Sequence, residues 1–262
     1  MFNLDAVQHG VQNRPPRIIL LGVPKIGKST FASQSGKAII LPIKGEEGVD
    51  DLDVGKATVS MTYRDTLGWL GSLHSQPHDY TTAVIDSASA LQPLIWDETC
   101  RANGNVDSIE KVGGGYGKGF TEALKYWQAM TEWLDALRTD RGMASIIIGH
   151  VKVKRFDDPI AGSYDQYQFD IDDRAANLLY RWADVILFCN TKTVVLAEDV
   201  GFNKEKKTAR DITEGQRFLY TQKRPSHPGG GRGVYGRLPY EIPLHWSSFC
   251  DAITTAMQQP VT

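Results

Sequence analysis

The segment from Arg17 to Ser33 constrains the fold more than any other part of this 262-residue chain. An apolar run, Ile18 to Leu21, leads into a stretch that fits the phosphate-binding pattern G-x-x-x-x-G-K-[ST], and a helical sequence continues from Thr30. A strand, this loop and a helix, in that order, are the context in which the pattern binds phosphate. The residues predicted to contact a nucleotide are Gly22, Val23, Pro24, Lys25, Ile26, Gly27, Lys28, Ser29 and Thr30.

The residue types of this loop match the chemistry of polyphosphate binding. Gly22 and Gly27 allow the backbone to turn so that its N–H groups, together with the helix N-terminus, face phosphate oxygens. We expect Lys28 to contact the β- and γ-phosphates and the Ser29 hydroxyl to ligate Mg²⁺. The loop therefore predicts ATP and Mg²⁺ as ligands.

Composition narrows the class of protein without identifying a partner. With 41% apolar and 23% charged residues, the chain is ordinary for a globular protein. Because the net charge is −2, a nucleic-acid partner must be inferred locally rather than from overall basicity. The three cysteines lie far apart and lack the spacing of a zinc or redox site. With no apolar run of about 18 residues and no leader-like segment, we expect a cytoplasmic protein without a membrane partner.

Apolar strands alternate with helical patterns between residues 17 and 257, which predicts a single α/β domain with a mostly parallel twisted β-sheet flanked by helices. Residues 1–16 are expected to form an N-terminal arm, and residues 258–262 a C-terminal tail. Strands are predicted at 18–22, 37–43, 58–61, 80–86, 144–149, 183–190 and 217–222, with 193–197 as the hairpin partner of 183–190. Helices are predicted from 30 onwards and at 63–74, 87–102, 120–138, 172–182 and 244–257.

Three polar residues follow predicted strands, at the edge where ligands bind in open α/β sheets. Asp86 ends an apolar strand and is predicted to reach the Mg²⁺ shell. Glu46 follows the second strand, where it either polarises the water that attacks the γ-phosphate or belongs to a solvated acidic turn. His150 ends the strand 144–149 and is either a γ-phosphate contact or a hydrogen-bonded structural histidine.

Two segments combine basic residues with aromatics, the composition of a surface that binds single-stranded nucleic acid. We expect the glycine-rich residues 103–119, with Lys111, Tyr116 and Lys118, to form a loop without regular structure. A plain connector is the alternative. Residues 151–170 are predicted to form a second long loop, unless their aromatics pack back on the core. The candidate DNA-binding residues of this second loop are Lys152, Lys154, Arg155 and Phe156.

The segment Val84 to Leu91 resembles the corresponding strand of RecA-type recombinases, in which Asp-Ser is followed shortly by Ala-Leu. The chain also resembles the RecA-like single-strand annealing ATPases of bacteriophages, the Sak-type family, over most of Arg17 to Asp251. This similarity includes the P-loop, the Gly-Tyr-Gly-Lys-Gly segment 115–119, Gly149-His150 and Ala183-Asp184-Val185.

The resemblance implies a Mg²⁺-dependent ATPase, stimulated by single-stranded DNA, that promotes annealing in phage recombination. Such proteins assemble as homo-oligomers, rings or filaments, often alongside a single-stranded-DNA-binding protein, here in the host cytoplasm if the chain is phage-encoded. The resemblance also makes Glu46 or its neighbour Glu47 the water-activating base and His150, where RecA has glutamine, the γ-phosphate sensor. Lys223 or Arg224 becomes the finger that completes a neighbouring subunit's site.

Two other functions remain open for a chain with this P-loop. A small-molecule or nucleotide kinase needs a closing lid, a role that residues 151–170 can fill. An accessory ATPase, such as a helicase loader or packaging factor, would hydrolyse ATP without contacting DNA directly.

Overall fold

The computed structural model describes residues 7, 9–10, 12–158, 162–199, 205–211 and 215–259, and for 193–199 and 205–211 it describes the backbone alone. Half of the predicted N-terminal arm (residues 1–6, 8 and 11) and the end of the predicted C-terminal tail (260–262) lie outside the described residues. No helix among the described residues is long and apolar enough to cross a membrane.

The described residues form six α-helices and thirteen β-strands. The helices are α1 Lys28–Ser33, α2 Tyr63–Ser75, α3 Ala88–Ala102, α4 Lys118–Asp140, α5 Asp173–Trp182 and α6 Trp246–Gln258. The strands are β1 Arg17–Gly22, β2 Ala38–Pro42, β3 Gly55–Lys56, β4 Thr82–Asp86, β5 Ala144–Gly149, β6 Val151–Asp158, β7 Gly162–Phe169, β8 Val185–Thr191, β9 Thr193–Asp199, β10 Glu205–Asp211, β11 Arg217–Tyr220, β12 Gly230–Gly231 and β13 Glu241–Pro243.

The central sheet has the order β13-β11-β8-β1-β5-β4-β2-β3, with β12 also paired to β8. Strands β8, β1, β5, β4, β2 and β3 are parallel, whereas β11, β12 and β13 pair antiparallel. β1, the strand that precedes the P-loop, therefore lies in the middle of the sheet. One strand, β5, separates it from β4, which carries Asp86. The predicted α/β class, a mostly parallel sheet flanked by helices, is confirmed by this arrangement.

The inner strands of the sheet are apolar on both faces, as parallel strands in α/β proteins are. Each face is therefore covered by an apolar layer of helices. On one face, α2 to α5 enclose a core that includes Trp127 and Phe188. On the other, α1 and α6 enclose a second core that includes Phe31 and Phe249. The parallel strands end together at one edge, which we call the carboxyl edge.

The segment 151–170 differs from the prediction of a long irregular loop. It is an antiparallel hairpin in which Val151 pairs with Phe169 and Asp158 pairs with Gly162. Its aromatics contribute to this order, because Phe169 is buried and Tyr167 packs on Phe188 with ring centroids 5.2 Å apart. The hairpin follows directly on β5, so it rises from the carboxyl edge.

Three smaller predictions are also corrected. Within 103–119, residues Ile109–Gly114 form short 3₁₀ turns with a kink at Val112 and Gly113, and Ile109 and Val112 are buried where the segment contacts α3 and α4. The short strand expected at 58–61 is instead β3, with a single bridge between Ile43 and Ser60. Residues 193–197 do not pair with β8: they belong to β9, which pairs with β10, while β8 pairs with β1, β11 and β12.

An ion cluster closes the opposite, amino edge of the sheet. The Asp184 carboxylate accepts hydrogen bonds from the Arg17 guanidinium at 2.9 and 3.3 Å and from the Arg17 backbone N–H at 3.0 Å. It also forms an ion pair with Arg138 at 3.0 Å. Arg17 also reaches Asp135 at 3.2 Å, and Asp135 accepts the Trp182 indole N–H at 3.1 Å. The cluster joins β1, α4, α5 and the start of β8.

Candidate active site

The P-loop turns sharply between β1 and α1. Gly27 has φ of 103°, in the left-handed region that favours glycine, and its carbonyl accepts the Phe31 N–H at 2.9 Å to begin α1. At Gly22 an added Cβ would lie 2.7 Å from the Cys189 carbonyl oxygen, so only glycine fits beside β8. The strand, turn and helix expected from the sequence are all present here.

Lys28 is the buried cation of this loop. Its ammonium donates hydrogen bonds to the carbonyls of Gly22 and Val23, both at 2.9 Å, and the residue is 6% exposed. Burial lowers the pKa of Lys28, an effect that the nearby carboxylates of Asp86 and Glu46 partly offset. A cation held this close to the loop backbone is placed to meet the terminal phosphates of a nucleotide.

Ser29 and Asp86 form the candidate metal site. The Ser29 hydroxyl donates to the Asp86 carboxylate at 2.6 Å, at the carboxyl end of β4. Burial raises the pKa of Asp86, and the hydrogen bond from Ser29 acts in the opposite direction. One hydroxyl and one carboxylate fit Mg²⁺, which takes its remaining ligands from water and phosphate oxygens.

Glu46 and His150 are brought together from the ends of β2 and β5. Glu46 contacts the His150 ring nitrogen Nε2 and accepts a hydrogen bond from the Ser87 hydroxyl at 3.1 Å. The His150 backbone N–H donates to the Ser89 hydroxyl at 3.0 Å. The hydrogen bond with His150 is the largest effect on Glu46 and holds the pKa of its carboxyl below the ordinary value, against the opposing effect of burial.

This geometry separates two residues that the sequence left equivalent. Glu46 lies beside Ser87, the residue after Asp86, whereas Glu47 is exposed. Glu46 is therefore the glutamate that lies next to the candidate metal site.

Arg217 is a P-loop contact that the sequence analysis missed. Because β11 runs antiparallel to β8, pairing Arg217 with Thr191 places this first residue of β11 at the carboxyl edge. Its guanidinium donates to the Ile26 carbonyl at 3.1 Å. A cavity of about 410 Å³ lies here, lined by residues that include Gly27, Thr30, Gln34, Arg217 and Leu244. No local pattern marks Arg217, because its contact joins residues 191 positions apart.

β11 runs away from the carboxyl edge, and Lys223 and Arg224 lie on the turn that follows it. The Arg224 guanidinium packs over the Tyr240 ring, 4.2 Å from its centroid. Lys223 lines a second cavity, beside β7 and α5. Neither lines the cavity beside the P-loop of its own chain.

Tyr116 projects from the glycine-rich segment. Its side chain is fully exposed, and its φ of 54° between Gly115 and Gly117 holds it in the left-handed region. Lys111 forms an ion pair with Asp107 at 2.7 Å, and the Lys118 ammonium donates to the Gly113 carbonyl at 3.2 Å.

The basic residues of the hairpin are paired with nearby carboxylates. Lys152 pairs with Asp170 at 3.1 Å and Lys154 with Asp173 at 2.8 Å. Arg155 lies 3.9 Å from Asp157, and the Phe156 ring packs against Tyr164 with centroids 5.5 Å apart.

The N-terminus of α5 connects the two candidate DNA-binding segments. Asp173 holds Lys154 of the hairpin, while the guanidinium of Arg174 lies 5.8 Å from the ring centroid of Phe120, at the start of α4. A Cβ on Gly117 would lie 3.3 Å from the same guanidinium. The two segments, distant in sequence, therefore converge on one surface.

Comparisons with known proteins give one family match and a similar solved structure. A family model described as "AAA domain" matches residues 14–233, most of the chain. Among solved structures, the crystal structure of the RadB recombinase is similar with 13% sequence identity and a TM-score of 0.37, over 77% of this chain and 90% of that one. No curated protein matches the chain significantly. Because this model match covers more than half of its length, the chain belongs to the AAA domain family.

Proposed function

We propose that this protein is an Mg²⁺-dependent ATPase that binds single-stranded DNA and promotes single-strand annealing in recombination, acting as a homo-oligomer. The observation that carries the proposal is that Gly117, next to the exposed Tyr116, and the β6–β7 hairpin both approach the N-terminus of α5. Basic groups beside an exposed aromatic ring are what sequence-tolerant binding of single strands requires.

The proposed roles at the nucleotide site follow from the contacts described above. Lys28 neutralises the terminal phosphates, and Ser29 and Asp86 hold Mg²⁺. When bound, Mg²⁺ stabilises charge on the phosphate oxygens. Glu46, which lies beside Ser87 and contacts His150, accepts a proton from the attacking water.

His150 is proposed to link the nucleotide to the hairpin. Its side chain contacts Glu46, and its backbone carbonyl accepts the Asp170 N–H at 2.9 Å, just after β7. Phe169 packs against Gly149 so closely that a methyl group there would overlap its ring. Through these contacts, a movement of Glu46 on loss of the γ-phosphate would displace both the first and the last residues of the hairpin.

The homo-oligomer is proposed because Lys223 and Arg224 lie apart from their own P-loop, where one of them is free to act as a finger in a neighbour's site. Replacing both with alanine should lower turnover, and arginine fingers contribute roughly 10³–10⁵-fold in rate. Mixing this double variant with Lys28→Ala should partly restore turnover, because each chain supplies what the other lacks. Mixtures that show no restoration would place the whole site within one chain.

Steady-state ATP hydrolysis with and without single-stranded DNA tests the proposal directly. We expect turnover to rise with the oligonucleotide and to require Mg²⁺. Tyr116→Ala should weaken oligonucleotide binding roughly tenfold, since stacking contributes about 1–3 kcal/mol per base. Tyr116→Phe, which keeps the ring, is the matched control and should bind as the wild type does. Brisk turnover that ignores DNA would refute the recombination role.

The ion pairs of the hairpin favour a second candidate, an accessory ATPase that contacts DNA indirectly. Lys152, Lys154 and Arg155 each have a carboxylate partner, which reduces the positive charge open to phosphate. Slow turnover together with no retention of an oligonucleotide at low salt, where phosphate contacts are strongest, would favour this candidate.

A further inference from the structure

A second cavity, of about 430 Å³, lies between the β6–β7 hairpin, α5 and the turn 223–229, and shares no lining residue with the P-loop. Two hydrogen bonds fix the turn against β7. The Gln166 amide donates to the Pro225 carbonyl at 2.9 Å, and the Tyr167 backbone N–H donates to the Ser226 carbonyl at 2.8 Å. These bonds hold the turn in place against β7 beside the cavity.

Aromatic rings form much of its wall. Tyr167 and Phe169 come from β7, and Tyr180 comes from α5. These rings are held from behind: Tyr167 packs on Phe188 with centroids 5.2 Å apart, and Phe169 packs on Tyr180 at 6.1 Å. Phe169 is 2% exposed and supports the wall from within, so the rings that a planar ligand can reach are those of Tyr167 and Tyr180.

Polar groups without partners complete the lining. The side-chain amides of Gln168 and Asn177 and the ammonium of Lys223 make no hydrogen bond or ion pair with any other described residue. Each amide carries a donor and an acceptor, the combination that reads the edge of a nucleobase. An ammonium beside them suits a phosphate.

We propose that this cavity binds one unstacked base of single-stranded DNA, with Lys223 on an adjacent phosphate. The inference rests on the proposed function, since it assigns a base-binding subsite to the same DNA surface. The volume falls within the range of roughly 300–1,000 Å³ typical of small-ligand pockets, which suits one nucleotide and not a duplex. Unstacked bases are bound in this way, by aromatic stacking and by hydrogen bonds to their edges.

The position of the cavity connects it to the nucleotide site. Phe169, one of its walls, packs against Gly149, and His150 follows directly. With Lys223 in contact with DNA, Arg224 is left as the finger for a neighbouring site.

The test measures binding of a fluorescent oligothymidylate containing one 2-aminopurine, a base whose emission reports stacking. Asn177→Trp fills the cavity, and the double variant Gln168→Ala/Asn177→Ala removes both amides without adding bulk. Gln128→Ala, an exposed glutamine on α4, is the matched control. Thermal melting of every variant checks folding, and if Asn177→Trp does not fold, the double variant carries the test alone.

We expect both cavity variants to weaken binding roughly tenfold and to raise the emission of bound 2-aminopurine, with Gln128→Ala unchanged. If the wild type binds DNA and the cavity variants bind it equally well, the cavity is not a base-binding site, and the proposed function still stands. Wild type that binds no DNA would remove the proposed function itself. Variants that alter only the oligomeric state in sedimentation, with oligonucleotide binding unchanged, would also overturn the inference.

Discussion

Asp184→Asn is the substitution whose effect follows most directly from the structure. The asparagine would leave the guanidinium groups of Arg17 and Arg138 without their shared carboxylate, and it would add an N–H donor that faces them. Removing one partner of a buried ion pair costs about 3–5 kcal/mol. The side chains of Asp184 and Arg17 remain 13% and 16% exposed, so we take the lower end, about 3 kcal/mol.

A loss of this size should lower the melting temperature by about 6–12 °C, at about 2–4 °C per kcal/mol for a chain of this length. Differential scanning calorimetry at pH 7 measures it. Asp79→Asn is the matched control, because Asp79 and its partner Lys37 are 74% and 64% exposed, and ion pairs this exposed contribute little to stability. ATP affinity well below the melting temperature should not change, since the cluster lies at the amino edge and the P-loop at the carboxyl edge.

The effect of Asp184→Asn should also depend on pH. Burial alone would raise the pKa of Asp184, but the hydrogen bonds and charges of Arg17 and Arg138 together outweigh it and lower the pKa. The stabilisation is therefore complete above the carboxyl's unfolded pKa and is lost as the pH falls through the folded value. The gap between wild type and variant should shrink in acid. A gap at pH 7 no larger than that of the control, or one that does not shrink, would refute this explanation.

Three further substitutions test the site and its supports. Lys28→Ala should reduce ATP turnover by roughly 10²–10³-fold with an unchanged circular dichroism spectrum, and normal turnover would contradict the P-loop assignment. Glu46→Gln should reduce single-turnover hydrolysis by roughly 10²–10⁴-fold while nucleotide binding persists, and a variant as fast as the wild type would exclude Glu46 as the base. Gly149→Ala should cost about 1–3 kcal/mol in a denaturant titration because its methyl group would overlap Phe169, and unchanged stability would show that the core adjusts.

Much of the central sheet could be predicted because its signals are local. The P-loop pattern, the apolar run that ends at Asp86 and the strand Ala144–Gly149 each specify their own conformation within a few residues. The helix predicted from 87 is also local, because the Ser87 hydroxyl caps α3 by accepting the Ala90 N–H at 3.2 Å. Contacts of this range are visible in the sequence alone.

The remainder depends on pairing between distant residues. The β6–β7 hairpin was missed because most residues of β6 are exposed, so its order comes from β7 rather than from a buried apolar pattern. Arg217 was missed because only the antiparallel course of β11 brings it to the P-loop. The sequence could not show which of Glu46 and Glu47 lies in the site for the same reason, since the contact between Glu46 and His150 spans 104 positions.

The ion pairs at the base of the hairpin have a consequence for how ionic strength affects DNA binding. Each free lysine that meets a phosphate releases condensed counterions, which gives a slope of about −0.7 per contact in log K against log salt for single strands. Lys154, however, must leave Asp173 before it can bind a phosphate, and the carboxylate it abandons attracts a cation from solution. Binding through this hairpin should therefore show a weaker salt dependence than its number of basic residues suggests.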